Sequence, residues 1–328
     1  MSGSPHEISS PSDSEGVVRE IVDGLALPQK ALPSKLLYDD AGSELFQRIT
    51  ELPTYYLTRA EKRLLHAHAA DIVTSMASVP GKERALVEFG ASDETKAVLL
   101  LDVPEGRFST YVPIDISSGV LLPIRERMQI THPEIEVHTL AADFLRPLAM
   151  PEALTGTQVV YFLPGSTIGQ YAPGAVIAFL QNVGRALVGA TRPYFVIGTD
   201  ICRDPLHVLP AYNDPGGVSK AFNLNILAHI NDLTGSDLDP RGFGHEALWN
   251  PGDERVDIFL TSRHEQSASI AGRVIHFAAG ERIQIGMSYK YGKERFIAIA
   301  AAAGWKSAGF WQDAESLFGI HLFEGDGS

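Results

Sequence analysis

LVEFGASDETK, residues 86–96, is an apolar run that stops at Glu88-Phe89-Gly90 and passes straight into a Ser/Asp/Glu/Thr cluster. A short continuous apolar run of this kind suits a strand buried on both faces, and the polar cluster suits the start of a helix. At such a junction the glycine lets a ligand approach the backbone, and the helix start offers unpaired N–H groups to an anionic or nucleotide-like group. A second apolar strand, TYVPID, ends in Asp115, and a third ends near Asp143-Phe144.

Outward from this stretch the chain alternates strand and helix. The pattern predicts strands at 85–89, 110–114, 135–139, 159–163 and 194–197, with helices at 117–128 and 173–187 among the connections. This arrangement predicts a mostly parallel sheet covered on both faces. Before it, helical spacing covers 17–26, AGSELFQRITEL resembles a helix opened by Ser43, and 60–76 reads as a helix capped by Thr58. After it, 204–233 is helical around an Asp214-Pro215-Gly216-Gly217 turn. Three antiparallel strands come next, at 255–263, 267–276 and 282–291, the first two joined by a turn at His264-Glu265-Gln266. A helix at 293–303 and strands around 309–311 and 319–323 would complete the first sheet with an antiparallel hairpin. The expected organisation is a disordered tail at 1–16, a lobe from 17–61 and 199–289, and a cofactor domain from 62–198 and 290–328.

Strand–glycine, strand–acid, strand–acid is the order expected of a site for S-adenosylmethionine. Gly90 admits the ligand to the backbone, Asp115 can accept from a ribose diol, and Asp143 can accept from an adenine amino group bordered by Phe144. A dinucleotide site would carry glycines where Ser92 and Thr95 stand, so that alternative ranks low. The run VVYFLPGSTIGQY, 159–171, lacks the order of a nucleophile elbow, and Gln170 is placed to offer an amide to an acceptor's carboxylate or amine.

Composition narrows the classes. A net charge of −13 argues against a nucleic-acid partner, and the single cysteine, Cys202, excludes an intramolecular disulfide or a cysteine-rich metal site. His66 and His68 lie two apart on a helix and face different ways, so no metal site is expected. Glu61-Lys62-Arg63 and 290–295 read as solvated faces, and Trp249-Asn250-Pro251-Gly252 as a strand end and turn. No apolar run is long enough for a membrane span. The expectation is a cytoplasmic protein acting on a small molecule; the sequence is compatible with a monomer and does not set the oligomeric state.

KLLYDDAGSELFQRITELPTYYLTRAE (35–61), GSTIG (165–169) and AYNDPGGVSKAFNLNIL (211–227) together resemble the histidine-specific N-alpha-methyltransferase family of ergothioneine biosynthesis, from about Leu25 onward. Related fungal members methylate a prenylated tryptophan. The resemblance implies a class I, Rossmann-like methyltransferase domain with a mostly parallel seven-stranded sheet, and a second α+β lobe that binds substrate. It implies cofactor contacts at Gly90, Lys96, Asp115, Asp143 and Phe144. It also implies an amino-acid clamp of Tyr38, Tyr55, Gln170 and Tyr212, with the acceptor's side chain near Ile258, Gly286 and Ser288.

Three departures from the family pattern stand out. Ser92 replaces a second glycine, Gln170 replaces an asparagine, and Gly286 stands where histidine-specific members carry a glutamate against the imidazole. Losing a charged hydrogen bond is worth about 1.5–3 kcal/mol, or about ten- to a hundredfold in preference. With the apolar Ile258, Gly286 points to a roomier pocket and an aromatic acceptor larger than histidine. Histidine itself is the alternative, and Glu281, five residues earlier, would restore a carboxylate if the register slipped. A non-catalytic cofactor-binding relative and a methyltransferase for a non-amino-acid amine are the further alternatives. In methyl transfer the shell of hydroxyls and amides would hold the amine uncharged and aligned, with Tyr38 and Tyr55 as the catalytic candidates and a tyrosine or water relay taking the proton.

Overall fold

The computed structural model describes residues 14–185 and 192–325. Helices α1 (Ser14–Leu25), α2 (Asp40–Glu51) and α3 (Tyr56–Thr74) come first. Strands β1 (Arg84–Phe89), β2 (Phe108–Asp115), β3 (Glu136–Val137), β4 (Leu140–Ala141), β5 (Gln158–Leu163) and β6 (Tyr194–Asp200) then alternate with α4 (Thr95–Leu101), α5 (Ser118–Thr131) and α6 (Pro173–Arg185). Helices α7 (Pro205–Val208) and α8 (Val218–Thr234) lead to β7 (Phe243–Asn250), β8 (Arg255–Ser262), β9 (Gln266–Ile270), β10 (Arg273–Phe277) and β11 (Arg282–Tyr289). The chain closes with α9 (Lys293–Ala302), β12 (Trp305–Gln312) and β13 (Phe318–Gly325). It divides into two compact units, one of Leu57–Cys202 with residues 290–325, the other of residues 14–56 with Arg203–Tyr289. The sequence pattern puts these changes at 61/62, 198/199 and 289/290. Residues 1–13 of the expected tail lie outside the described residues, as do 186–187 of the helix expected to end at Leu187. Residues 14–16, also assigned to the tail, instead open α1.

In the first unit the strand order is β12-β13-β6-β5-β1-β2-β3, with β4 also on β2. The strands from β6 through β3 run parallel, whereas β13 is antiparallel to β6 and β12 to β13. This is the sheet of a class I methyltransferase. Every residue of β1, β5 and β6 is buried, as expected for strands with helices on both faces. Phe89 fixes the centre of the core, with ring centroids 5.7 Å from Tyr161, 5.4 Å from Phe179 and 5.8 Å from Phe195.

Several local expectations are corrected. Of the strand expected at 135–139 only Glu136–Val137 forms; a second two-residue piece, Leu140–Ala141, follows it on β2, and the His138 N–H crosses to the Tyr111 carbonyl at 3.0 Å between them. Thr58 lies inside the first turn of α3, because that helix starts at Tyr56, shortly after Pro53. Helix α2 is opened by Asp39 and not Ser43: Asp39 Oδ1 accepts the Gly42 N–H at 2.8 Å. A side chain at Gly42 would meet the Leu37 carbonyl at 1.9 Å, so the capping turn requires glycine.

Glu88, fully buried on β1, accepts from the Tyr111 hydroxyl, yet burial still pushes its carboxyl up to about 8. Because the folded state holds this proton more tightly than the unfolded chain, the stability this group contributes is full below about pH 4.5 and is lost as pH rises towards 8. Glu88→Gln, neutral throughout, is expected to remove that loss. Urea unfolding from pH 5 to 8 should show the variant gaining on the wild type with rising pH, by a slope approaching about 1.4 kcal/mol per unit.

The second unit contains the antiparallel sheet β11-β8-β7 and the hairpin β9-β10. The strand expected at 267–276 is this hairpin, folded back at Ala271-Gly272, whose φ values of 47° and 77° suit a tight two-residue turn. Strand β7 was anticipated only at its end, near Trp249. The N-terminal segment joins the sheet at Lys30–Leu32: Leu32 N–H donates to Gln284 O and Gln284 N–H to Lys30 O, both at 2.8 Å. Asn225 on α8 donates to Asp39 at 2.6 Å, tying α8 to the start of α2. These long-range bonds explain why two distant stretches form one unit. No helix among the described residues is long and apolar enough to cross a membrane.

Candidate active site

In the first unit the anticipated cofactor residues sit at the carboxyl ends of successive strands. Gly90 follows β1 with φ +70°, and a Cβ there would stand 3.9 Å from both Phe144 and Thr167. Three separate connections therefore meet at Gly90, where the backbone carries no side chain, an opening that suits a cofactor's approach. The Phe144 ring is held against Phe89 at 5.7 Å and Phe179 at 5.6 Å. Asp115 ends β2, and its carbonyl takes the Ala142 N–H at 2.9 Å, which brings Asp143 to the same edge. The Asp115 carboxylate accepts the Ser117 N–H at 2.8 Å, and burial pushes its carboxyl up to about 6. Asp143 accepts the Leu145 N–H at 3.1 Å, with Arg146 3.7 Å away. These acceptors, with the glycine cradle and Phe144, suit a ribose, an amino-bearing ring and an approach along the backbone.

The expected N–H groups at the start of α4 are partly taken. Asp93 accepts the Thr95 N–H at 2.8 Å and also the Thr95 hydroxyl, a short-range cap that competes with any external anion. Arg127, held to Glu94 by two bonds of 2.6 Å, flanks this turn, as does Lys96, whose ammonium lies 2.6 Å from Glu61. Glu61 is 0 % exposed, a correction to its expected place on a solvated face. Both its oxygens accept the Gly165 N–H, at 2.8 and 2.9 Å. Lys290, also expected in solvent, is fully buried against Asp200 at 2.6 Å. Neither was legible locally, because the partners lie 35 to 104 positions away.

Gln170 closes the short turn Thr167–Gln170. The Asp200 N–H donates to Ser166 Oγ at 2.9 Å on one side of this turn, and the Tyr291 hydroxyl donates to the Tyr171 carbonyl at 2.6 Å on the other. The loop is thus held from β6 and from the segment after β11.

In the second unit Tyr38 meets Phe46 edge-on at 5.6 Å and Phe222 at 5.5 Å, and Phe46 meets Tyr55 at 6.2 Å. Tyr38 and Tyr55 therefore flank one ring. The Tyr212 hydroxyl and Ser288 Oγ are 2.7 Å apart. Gly286 pairs with Ile258 and Ile258 with Ala247, so these three form one row of the sheet. Glu281 precedes β11 and is bound to Lys30 and to the Ala278 N–H, away from that row. A Cβ on Gly286 would meet Ile258 at 3.6 Å, ordinary contact, so the fold does not demand glycine there. Sequence inspection missed Asn223 and His245: the Asn223 amide is 3.0 Å from His245 Nε2, and burial lowers the His245 pKa, favouring the neutral ring. His245 pairs with Leu260, two positions along the strand from Ile258 and so on the same face of the sheet.

Comparison with known proteins agrees with this architecture. The profile of a family described as "histidine-specific methyltransferase, SAM-dependent" matches residues 17–325. The chain is 34% identical over 310 residues to a histidine N-alpha-methyltransferase of Mycobacterium tuberculosis, covering 93% of each protein. It is 33% identical to that of Mycolicibacterium smegmatis, over 96% of this chain and 97% of the relative. A 4-dimethylallyltryptophan N-methyltransferase of Epichloe festucae var. lolii is 26% identical over 91% of this chain and 92% of its own length. With a match across almost its whole length, the chain belongs to the histidine-specific, S-adenosylmethionine-dependent methyltransferase family.

Proposed function

We propose that this S-adenosylmethionine-dependent N-methyltransferase methylates the α-amino nitrogen of L-histidine. The observation that carries the proposal is the whole-length similarity to two proteins named for that reaction. It displaces the larger aromatic acceptor that Gly286 suggested from the sequence. That acceptor stays as a second reading on one specific observation: Gly286 carries no carboxylate, and nothing in its backbone or its space requires glycine.

In this proposal Gly90, Lys96, Asp115, Asp143 and Phe144 hold the cofactor. Asp115 accepts from the ribose, Asp143 from the adenine amino group, and Lys96 faces the methionyl carboxylate. When bound, S-adenosylmethionine supplies a methyl group activated by the sulfonium for in-line displacement. Tyr38, Tyr55, Gln170 and Tyr212 grip the acceptor's carboxylate and amine. Their neutral groups do not favour a charged ammonium, so the nitrogen lone pair stays available. Tyr38 and Tyr55 relay the displaced proton, directly or through water. Ile258, Gly286 and Ser288 receive the side chain. Holding the reactants aligned and away from water supplies much of the acceleration.

The test is mass spectrometry of products formed from S-adenosylmethionine and a panel of the twenty amino acids with substituted tryptophans. Gain of methyl units on histidine is the expected result. Gain on tryptophan or its derivatives alone replaces it with the second reading. Cofactor binding with no methylated product would favour a binding protein.

A further inference from the structure

Glu61 is a fully buried carboxylate that the reaction scheme does not use. Its three polar contacts reach two places at once. On one side is the ammonium of Lys96, at the start of α4; on the other is the N–H of Gly165, in the loop that ends at Gln170. The fold makes room for it: a Cβ on Gly198 of β6 would stand 2.2 Å from Glu61 Oε1. The loop it holds needs outside support, because Gly165 and Ser166 are both left-handed, with φ of 74° and 56°. That conformation is unfavourable for serine and persists only where the surroundings impose it. Glu61 fixes the first of these residues, and the Asp200 N–H meets the hydroxyl of the second. Lys96 also comes near the loop, 3.5 Å from where a Gly165 Cβ would be.

We propose that Glu61 is a positioning residue, which orients Lys96 on the donor side and holds the Gly165–Gln170 loop on the acceptor side. The inference rests on the proposed roles of Lys96 and Gln170. Glu61 touches neither reactant itself and acts through those two groups. The carboxylate is suited to both tasks: its charge balances a lysine that would otherwise be costly near a buried site, and its oxygens accept the loop N–H.

Two double variants separate the tasks. E61Q/K96M and E61M/K96M both remove the ion pair without leaving a buried lone charge, but only the first keeps an oxygen for the Gly165 N–H. Relative to wild type, both should bind S-adenosylhomocysteine at least tenfold more weakly by calorimetry. At saturating cofactor, the acceptor KM should be within about twofold of wild type in E61Q/K96M and at least tenfold higher in E61M/K96M. Hydrogen exchange over the loop should be faster in E61M/K96M than in E61Q/K96M. Equal KM and equal exchange in the two would overturn the inference. If E61M/K96M does not fold, E61D decides, since the shortened carboxylate withdraws from Gly165: a tenfold rise in KM supports the role and an unchanged KM overturns it. A wild-type enzyme that methylates no amino acid would refute the acceptor assignment, while loop exchange would still decide the role of Glu61.

Discussion

Gly286→Glu is expected to shift kcat/KM for histidine relative to tryptophan by about ten- to a hundredfold in favour of histidine, measured by competition between the two in one reaction. The magnitude is that of one charge-assisted hydrogen bond to the imidazole, about 1.5–3 kcal/mol. The structure makes the substitution practicable. Gly286 pairs with Ile258 directly after an irregularity in β11 between Gln284 and Gly286, and the first carbon of a new side chain meets Ile258 at an ordinary 3.6 Å. A longer side chain also takes volume that a bicyclic ring would occupy, so tryptophan turnover should fall in parallel. An unchanged ratio would place the acceptor's ring elsewhere than Gly286. The shift is expected whichever acceptor the wild type prefers, so the experiment tests the position of the pocket independently of the substrate.

Asp115→Asn is expected to weaken cofactor binding by about ten- to a hundredfold, the loss of a charge-assisted hydrogen bond to the ribose. The same substitution should abolish a pH dependence. Burial raises the Asp115 carboxyl to about 6, so in the wild type the accepting carboxylate forms only as pH rises through that value. Cofactor affinity in the wild type should therefore fall on acidification below pH 6, by up to about tenfold per unit if only the ionised form binds. Calorimetric titration with S-adenosylhomocysteine from pH 5 to 8 would measure both effects. A pH-independent wild type, or a variant that binds as well as it does, would remove Asp115 from the cofactor site.

The place of Asp115 at a strand end was legible in the sequence because it depends on local chemistry, whereas Asp143 follows only two-residue edge pieces. Continuous apolar runs mark buried strands, and the polar residue or glycine that interrupts each run marks the strand end. The same locality exposed Gly90, whose positive φ the turn requires, and the alternation that orders the parallel sheet. Likeness in short motifs added the tyrosines and the row at Gly286. Tertiary structure decided whatever depends on distant partners. Glu61 looked like one of three surface charges because Lys96 and Gly165 lie 35 and 104 residues away. Lys290 looked solvated until Asp200, 90 positions earlier, was placed against it. The pairing of Lys30–Leu32 with Gln284 likewise unites the N-terminal segment with a much later sheet. Periodicity reports which face of an element is apolar, but not which buried charge meets its counter-charge: that is set when chain segments far apart in sequence are packed together.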